Sequence, residues 1–147
     1  MSYQLTITPT EMKMETFKEY LERHEACEPA IEYAASLNYD VKAVIENCPQ
    51  ADWLMWVVAR EPETFGLTTH ELVGYALKAA AWGGAAAAWA SVAAAWSRAA
   101  SAAEWAAAAA VRHAWNATED QPELRVKLCE LVEPLKAKIK NHFTKTI

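Results

Sequence analysis

Four histidines, three cysteines and a run of glutamates are the side chains here whose types could do chemistry. His24, His70, His113 and His142 are scattered, and none falls in an HExxH pattern or beside a second ligand at metal spacing. His24 and Cys27 stand one helical turn apart, but Pro29 follows and predicts that the helix ends beside them. Cys27, Cys48 and Cys129 flank or enter apolar stretches, where a free thiol behaves as a small hydrophobe. An odd number cannot all pair within the chain, so the expectation is reduced, largely buried thiols in a cytoplasmic protein. Asp52, beside Trp53, fits a helix start, a hydrogen bond across the core or a recognition site. Glu11, Glu15, Glu19, Glu22, Glu25, Glu28 and Glu32 make an acidic run, either a solvated helix face or a surface that meets a basic partner. There is no Gly-rich phosphate loop, paired-carboxylate signature or strand–helix alternation. The chain is therefore expected to hold no catalytic residue, cofactor or metal, and not to be an enzyme.

The elements that must position these residues centre on an alanine and tryptophan tract. Between Ala85 and Ala110, 17 of 26 residues are alanine. Alanine loses no side-chain entropy in a helix, and its small size lets neighbouring backbones approach closely. Trp82, Trp89 and Trp96 recur every seven residues, with Trp105 and Trp115 beyond them. At 100° per residue the first three form one stripe drifting by about 20° per heptad. The expectation is that indoles fill the wedges left between small residues. Arg98 and Glu104 are the charges inside the tract, marking a solvent side or an interface pair. A regular threonine ladder, which an ice-binding helix would want, is absent.

The 147 residues suit one domain with one core. A net charge of −5 keeps a small domain soluble and disfavours nucleic acid. Lys136, Lys138, Lys140 and Lys145 form only a small basic end. The uncharged stretch between Lys78 and Arg98 matches a bilayer in length, but it lacks leucine, isoleucine and phenylalanine, so no membrane span is expected. The first residues do not read as a signal peptide.

Alternating Tyr3, Leu5 and Ile7 predict an extended arm or short strand over 1–9, followed by a single helical domain over 10–147. Its first helix runs from a weak cap at Thr10 to His24. Glu28-Pro29 restarts the chain. Asp40 caps a short helix that Cys48-Pro49 ends. Ala51 to Arg60, apolar on nearly every side, is a central helix. Thr68 and Glu71 have capping-box spacing. Gly83-Gly84 either breaks the chain between two helices or sits inside one helix where another backbone crosses. The tract beyond is one helix or two, and Gln121-Pro122 opens the last helix, with a kink or break expected near Val132 to Glu133, before Pro134. The architecture expected is an all-α bundle of five to seven helices around a long alanine-rich helix.

The segment CEPAIEYAASLNYDVKAVIENCPQADWLMWVVAR, from Cys27 to Arg60, resembles small alanine- and tryptophan-rich proteins of phages and bacteria, some labelled as immunity proteins. The resemblance spans roughly residues 24 to 132. It rests on Cys27-Glu28-Pro29-Ala30-Ile31-Glu32-Tyr33, on Cys48-Pro49-Gln50-Ala51-Asp52-Trp53-Leu54-Met55-Trp56 and, loosely, on Gln121, Leu124 and Arg125. The chain departs from the pattern in its fewer arginines and glutamates within the tract, and in Gly83-Gly84. The resemblance implies a helical bundle that binds and neutralises another protein. The function expected is thus a protein-binding factor of immunity or phage anti-defence type, acting by occlusion. The alternative is a structural protein that self-associates into a homo-oligomer through the alanine–tryptophan helix. The interface residues expected are Trp82, Trp89, Trp96, Arg98, Glu104, Glu15, Glu19 and Glu22.

Overall fold

The computed structural model describes residues 15–96 and 100–144. The expected arm over 1–9, Thr10, Glu11, Arg98 and Lys145 lie outside them. Helix α1 spans Phe17–Arg23. Its cap is Thr16, whose hydroxyl accepts from the Glu19 amide while the Glu19 carboxylate accepts from the Thr16 amide at 2.8 Å. The helix that carries Phe17 therefore begins at a capping box. Helix α2, Glu28–Ser36, opens on Pro29 as expected. In α3, Val41–Glu46, the Asp40 carboxylate caps the Lys42 amide. Helix α4, Ala51–Arg60, carries Met55 and Val58 at 0% exposure. A 3-10 turn, Pro62–Phe65, ends at Gly66. Helix α5, Thr69–Ala80, has the complete Thr68–Glu71 capping box.

The alanine tract then divides. Helix α6 spans Gly84–Trp96 and α7 spans Ala100–Ala117. They lie side by side in the most extensive helix–helix contact among the described residues, and α7 also packs on α5 and α4. Helix α8, Pro122–Thr144, lies against α3, α4, α5 and the 3-10 turn. Eight α-helices and a 3-10 turn are thus described, and the expectation of five to seven is corrected. The tract, one helix or two by its sequence, supplies a helical pair, and α1 to α3 are short separate pieces. Of the kink or break expected near Val132 to Glu133, the break does not occur: α8 runs on through Pro134. Pro134 is exposed, as is Glu130, whose carbonyl loses its helical partner there, so water can satisfy it.

Gly83-Gly84 separates two helices rather than sitting inside one, and a second backbone crosses there all the same. Gly84, at φ 72°, breaks the chain between α5 and α6. Gly83 is the crossing point: a Cβ there would sit 2.5 Å from the Ala87 Cβ and 2.7 Å from both Cα and Cβ of Ala114. Along α7, Ala103, Ala107, Ala110, Val111 and Ala114 are fully buried, one stripe at helical spacing. Small methyl surfaces do let these backbones crowd together. The indoles, however, do not fill the gaps as expected. Trp115 is buried, Trp82 is half-buried, and Trp89, Trp96 and Trp105 face outward. Once alanine meets alanine there is no room for an indole between the helices.

The end of the bundle is closed by aromatic rings. Phe17, Tyr20, Phe65 and Phe143 bring α1, the 3-10 turn and α8 together, with Phe17 and Phe143 centroids 5.2 Å apart. The Tyr20 hydroxyl donates to the Val57 carbonyl at 2.6 Å and ties α1 to α4. At the far end of α7, Arg125 donates to the Trp115 carbonyl at 2.8 Å and lies over the Trp115 ring. Among the described residues no helix is long and apolar enough to cross a membrane.

Candidate functional site

The outward face of α6 is built by the same spacing that buries its other side. Ala87, Ser91 and Ala94 are buried, and the Ser91 hydroxyl donates to the Ala88 carbonyl at 2.7 Å. At 100° per residue Trp89 and Trp96 lie within about 20° of each other and roughly opposite that stripe, with Val92 about 60° from Trp89. Trp89 is 76% exposed, Val92 46% and Trp96 81%. No charged residue occurs in α6, and exposed alanines 85, 86, 88, 93 and 95 surround the indoles. Large side chains stand over a floor of small ones.

The expected three-indole stripe is shortened. Trp82 precedes the Gly83-Gly84 break and packs against the core, so only Trp89 and Trp96 share the α6 surface. Glu104 is half-buried on α7, where burial pushes its carboxyl up, Glu63 adds to that and Arg60 opposes it. Glu15 pairs with Arg23 at 2.7 Å, and Glu19 serves the α1 cap. Glu22, Glu25, Glu28 and Glu32 are exposed on α1, α2 and the turn between them. The expected interface residues among those described sit on several elements: Trp89 and Trp96 on α6, Trp82 before it, Glu104 on α7, Glu19 and Glu22 on α1 and Glu15 just ahead of α1.

A second feature was missed by sequence reasoning. A cavity of about 270 Å³ lies between α1, α2, α3, α4 and α7. Asp52, on the first turn of α4, lines it at 9% exposure. Its Oδ1 has no hydrogen-bond partner among the described residues, and neither has the buried Nε of Arg60, about two turns further along α4. Burial pushes the Asp52 carboxyl up to about 6, against the pull of its own backbone amide and of Arg112 and Arg125. The Arg60 guanidinium lies 5.1 Å from the centre of the Trp56 ring. Trp53, Trp56 and Tyr33 line one side, and Trp105 and Arg112 come from α7. The residue pair Asp52-Trp53 was visible in the sequence. Its meeting with Trp105 and Arg112 was not, because tertiary packing alone brings α7 against α4.

All three thiols are free. Cys27 is exposed, against the expectation of burial, and Cys48 and Cys129 are half-buried. Burial pushes the Cys48 thiol up to about 11, so it stays protonated and unreactive at neutral pH. His24 bonds Glu61 at 2.6 Å, a contact within an ion-pair knot that also holds Arg23. Among the described residues no three His, Cys, Asp or Glu side chains are grouped to hold a metal ion. No family model, curated protein or solved structure matches the chain.

Proposed function

We propose that this chain is a protein-binding factor that docks through the outward face of α6, and that its partner there is a second copy of itself. One observation carries the reading: Trp89 and Trp96 stand 76% and 81% exposed on a helix with no charge. Contiguous apolar surface of this kind is uncommon on a monomer, and tryptophan is the residue most enriched where binding energy concentrates. The face suits itself. The chain carries a net charge of −5, yet two α6 faces meet without like charges, and the indoles of one copy can seat on the exposed alanines of the other.

Size sets the strength. Thirteen residues make a helix about 20 Å long. That face falls short of the roughly 800 Å² per partner of a standard interface, so the dimer is transient, with Kd about 10–100 µM. Sedimentation velocity from about 5 to 500 µM spans that range. The expected result is a monomer that becomes a dimer as concentration rises, and a Trp89→Ala/Trp96→Ala double variant that stays monomeric. A wild-type monomer throughout, or a double variant that dimerises equally well, overturns the reading.

A second reading is the occluding factor of immunity or anti-defence type. It is supported by the exposed acids Glu22, Glu25, Glu28 and Glu32, which offer a surface to a basic partner. Under it, a purified basic partner binds with strong salt dependence. Neutralising those four glutamates to glutamine weakens that binding, and the α6 double variant does not.

A further inference from the structure

We infer that the cavity beside α4 is a binding site for a small aromatic zwitterion, with Asp52 receiving its ammonium group and Arg60 its carboxylate. This goes beyond the docking face on α6 and does not depend on it.

The inference starts from two unmet polar atoms. Asp52 is 9% exposed, and its Oδ1 lacks a hydrogen-bond partner among the described residues. Arg60 Nε is buried in the same condition, and both residues line one cavity. Buried polar groups are satisfied as a rule, and an exception calls for a cause. A bound molecule that donates to one atom and accepts from the other supplies both missing bonds. Desolvation acts on each group in the direction such a ligand would reverse: the carboxyl is pushed up and the guanidinium down.

The walls set the rest of the ligand. Tyr33, Trp53, Trp56 and Trp105 line the cavity. The Tyr33 hydroxyl already donates to the Val44 carbonyl at 2.9 Å, which leaves its ring to contact a ligand. Aromatic walls favour a flat apolar body and, near a carboxylate, an ammonium group. A lone cation does not fit, because Arg60 and Arg112 line the space as well as Asp52 and Glu25. Two acids against two bases select a molecule with both signs and no net charge. The volume is about 270 Å³. A ring system with a short charged arm fills that space.

Isothermal titration calorimetry on the full chain tests this with four probes of one ring and different charge: indole, tryptamine, indole-3-acetate and tryptophan. The expected order puts tryptophan at least tenfold tighter than each of the other three. Asp52→Asn lowers its affinity at least tenfold and narrows its advantage over indole-3-acetate, while Arg60→Met narrows its advantage over tryptamine. Trp105 is 60% exposed, so Trp105→Ala removes a wall without emptying the core, and it weakens tryptophan at least threefold. Circular dichroism confirms that each variant keeps its helices. The α6 double variant binds tryptophan as the wild type does. Absence of heat with all four probes overturns the inference. So does tryptophan binding no tighter than indole, or binding indifferent to both Asp52→Asn and Trp105→Ala.

Discussion

Two glycines in this chain should respond to the same substitution with opposite signs. Gly83→Ala places a methyl 2.5 Å from the Ala87 Cβ and 2.7 Å from the Cα and Cβ of Ala114. The Ala114 Cα belongs to the backbone of α7 and cannot swing aside as a long side chain does. Overpacking of a tight contact costs about 1–3 kcal/mol. Restricting the unfolded chain returns roughly 0.4–1 kcal/mol. The net is a loss of about 1–2 kcal/mol, which in a domain of this size lowers Tm by roughly 3–8 °C. Gly74 lies inside α5 with nothing within 4 Å of where its Cβ would be. Gly74→Ala therefore gains about 0.5–1 kcal/mol from helix propensity alone. Urea and thermal melts followed at 222 nm read both variants against the wild type. If Gly83→Ala is neutral or stabilising, the turn between α5 and α6 does not cross the α7 backbone at Ala114, and the close approach there is wrong.

Three further outcomes rest on single side chains. Tyr20→Phe removes the buried hydroxyl that donates to Val57 and leaves that carbonyl unpaired, at a cost of about 1–2 kcal/mol in urea melts. Thr68→Ala removes the capping hydroxyl of α5 and costs about 1 kcal/mol, read the same way. Asp52 gives a pH signature: its carboxyl is pushed from the usual range up to about 6, so the folded state holds the proton more tightly than the unfolded state does. Stability then falls as pH rises from about 4 to 6 by up to about 3 kcal/mol, and stays lower above that window. Urea melts at several pH values should show the decline in the wild type and its loss in Asp52→Asn; parallel curves would contradict the assignment.

The sequence showed its boundaries better than its faces. Asp40, Pro29 and the Thr68–Glu71 pair act through bonds to residues within one turn, so their effect does not depend on the rest of the fold. Thr16 and Glu19 have the same spacing, and the α1 start was readable there as well. The helical pair was harder to see. In α6 the buried Ala87 and Ala94 and the exposed Ala88 and Ala95 are the same residue, so composition cannot say which side meets a neighbour. Ser91, opposite the indoles, was the one local hint. The heptad spacing of Trp82, Trp89 and Trp96 suggested a single stripe, which the Gly83-Gly84 break interrupts. The cavity was out of reach for another reason. Asp52 and Arg60 share α4, but Trp105 and Arg112 arrive from α7, and no sequence spacing encodes that meeting.

The outward placement of Trp89 and Trp96, and their burial against a second copy, can be read site by site. The chain has seven tryptophans. Labelled with 5-fluorotryptophan, each gives a fluorine resonance whose shift between H₂O and D₂O reports solvent contact, and Trp89→Phe and Trp96→Phe assign two of them. In dilute solution these two should show the largest solvent shifts together with Trp105, and Trp115 the smallest. As concentration passes the dimer midpoint, the shifts of Trp89 and Trp96 alone should collapse. Core-like shifts for both at the lowest concentration, or shifts that never change with concentration, would contradict the account.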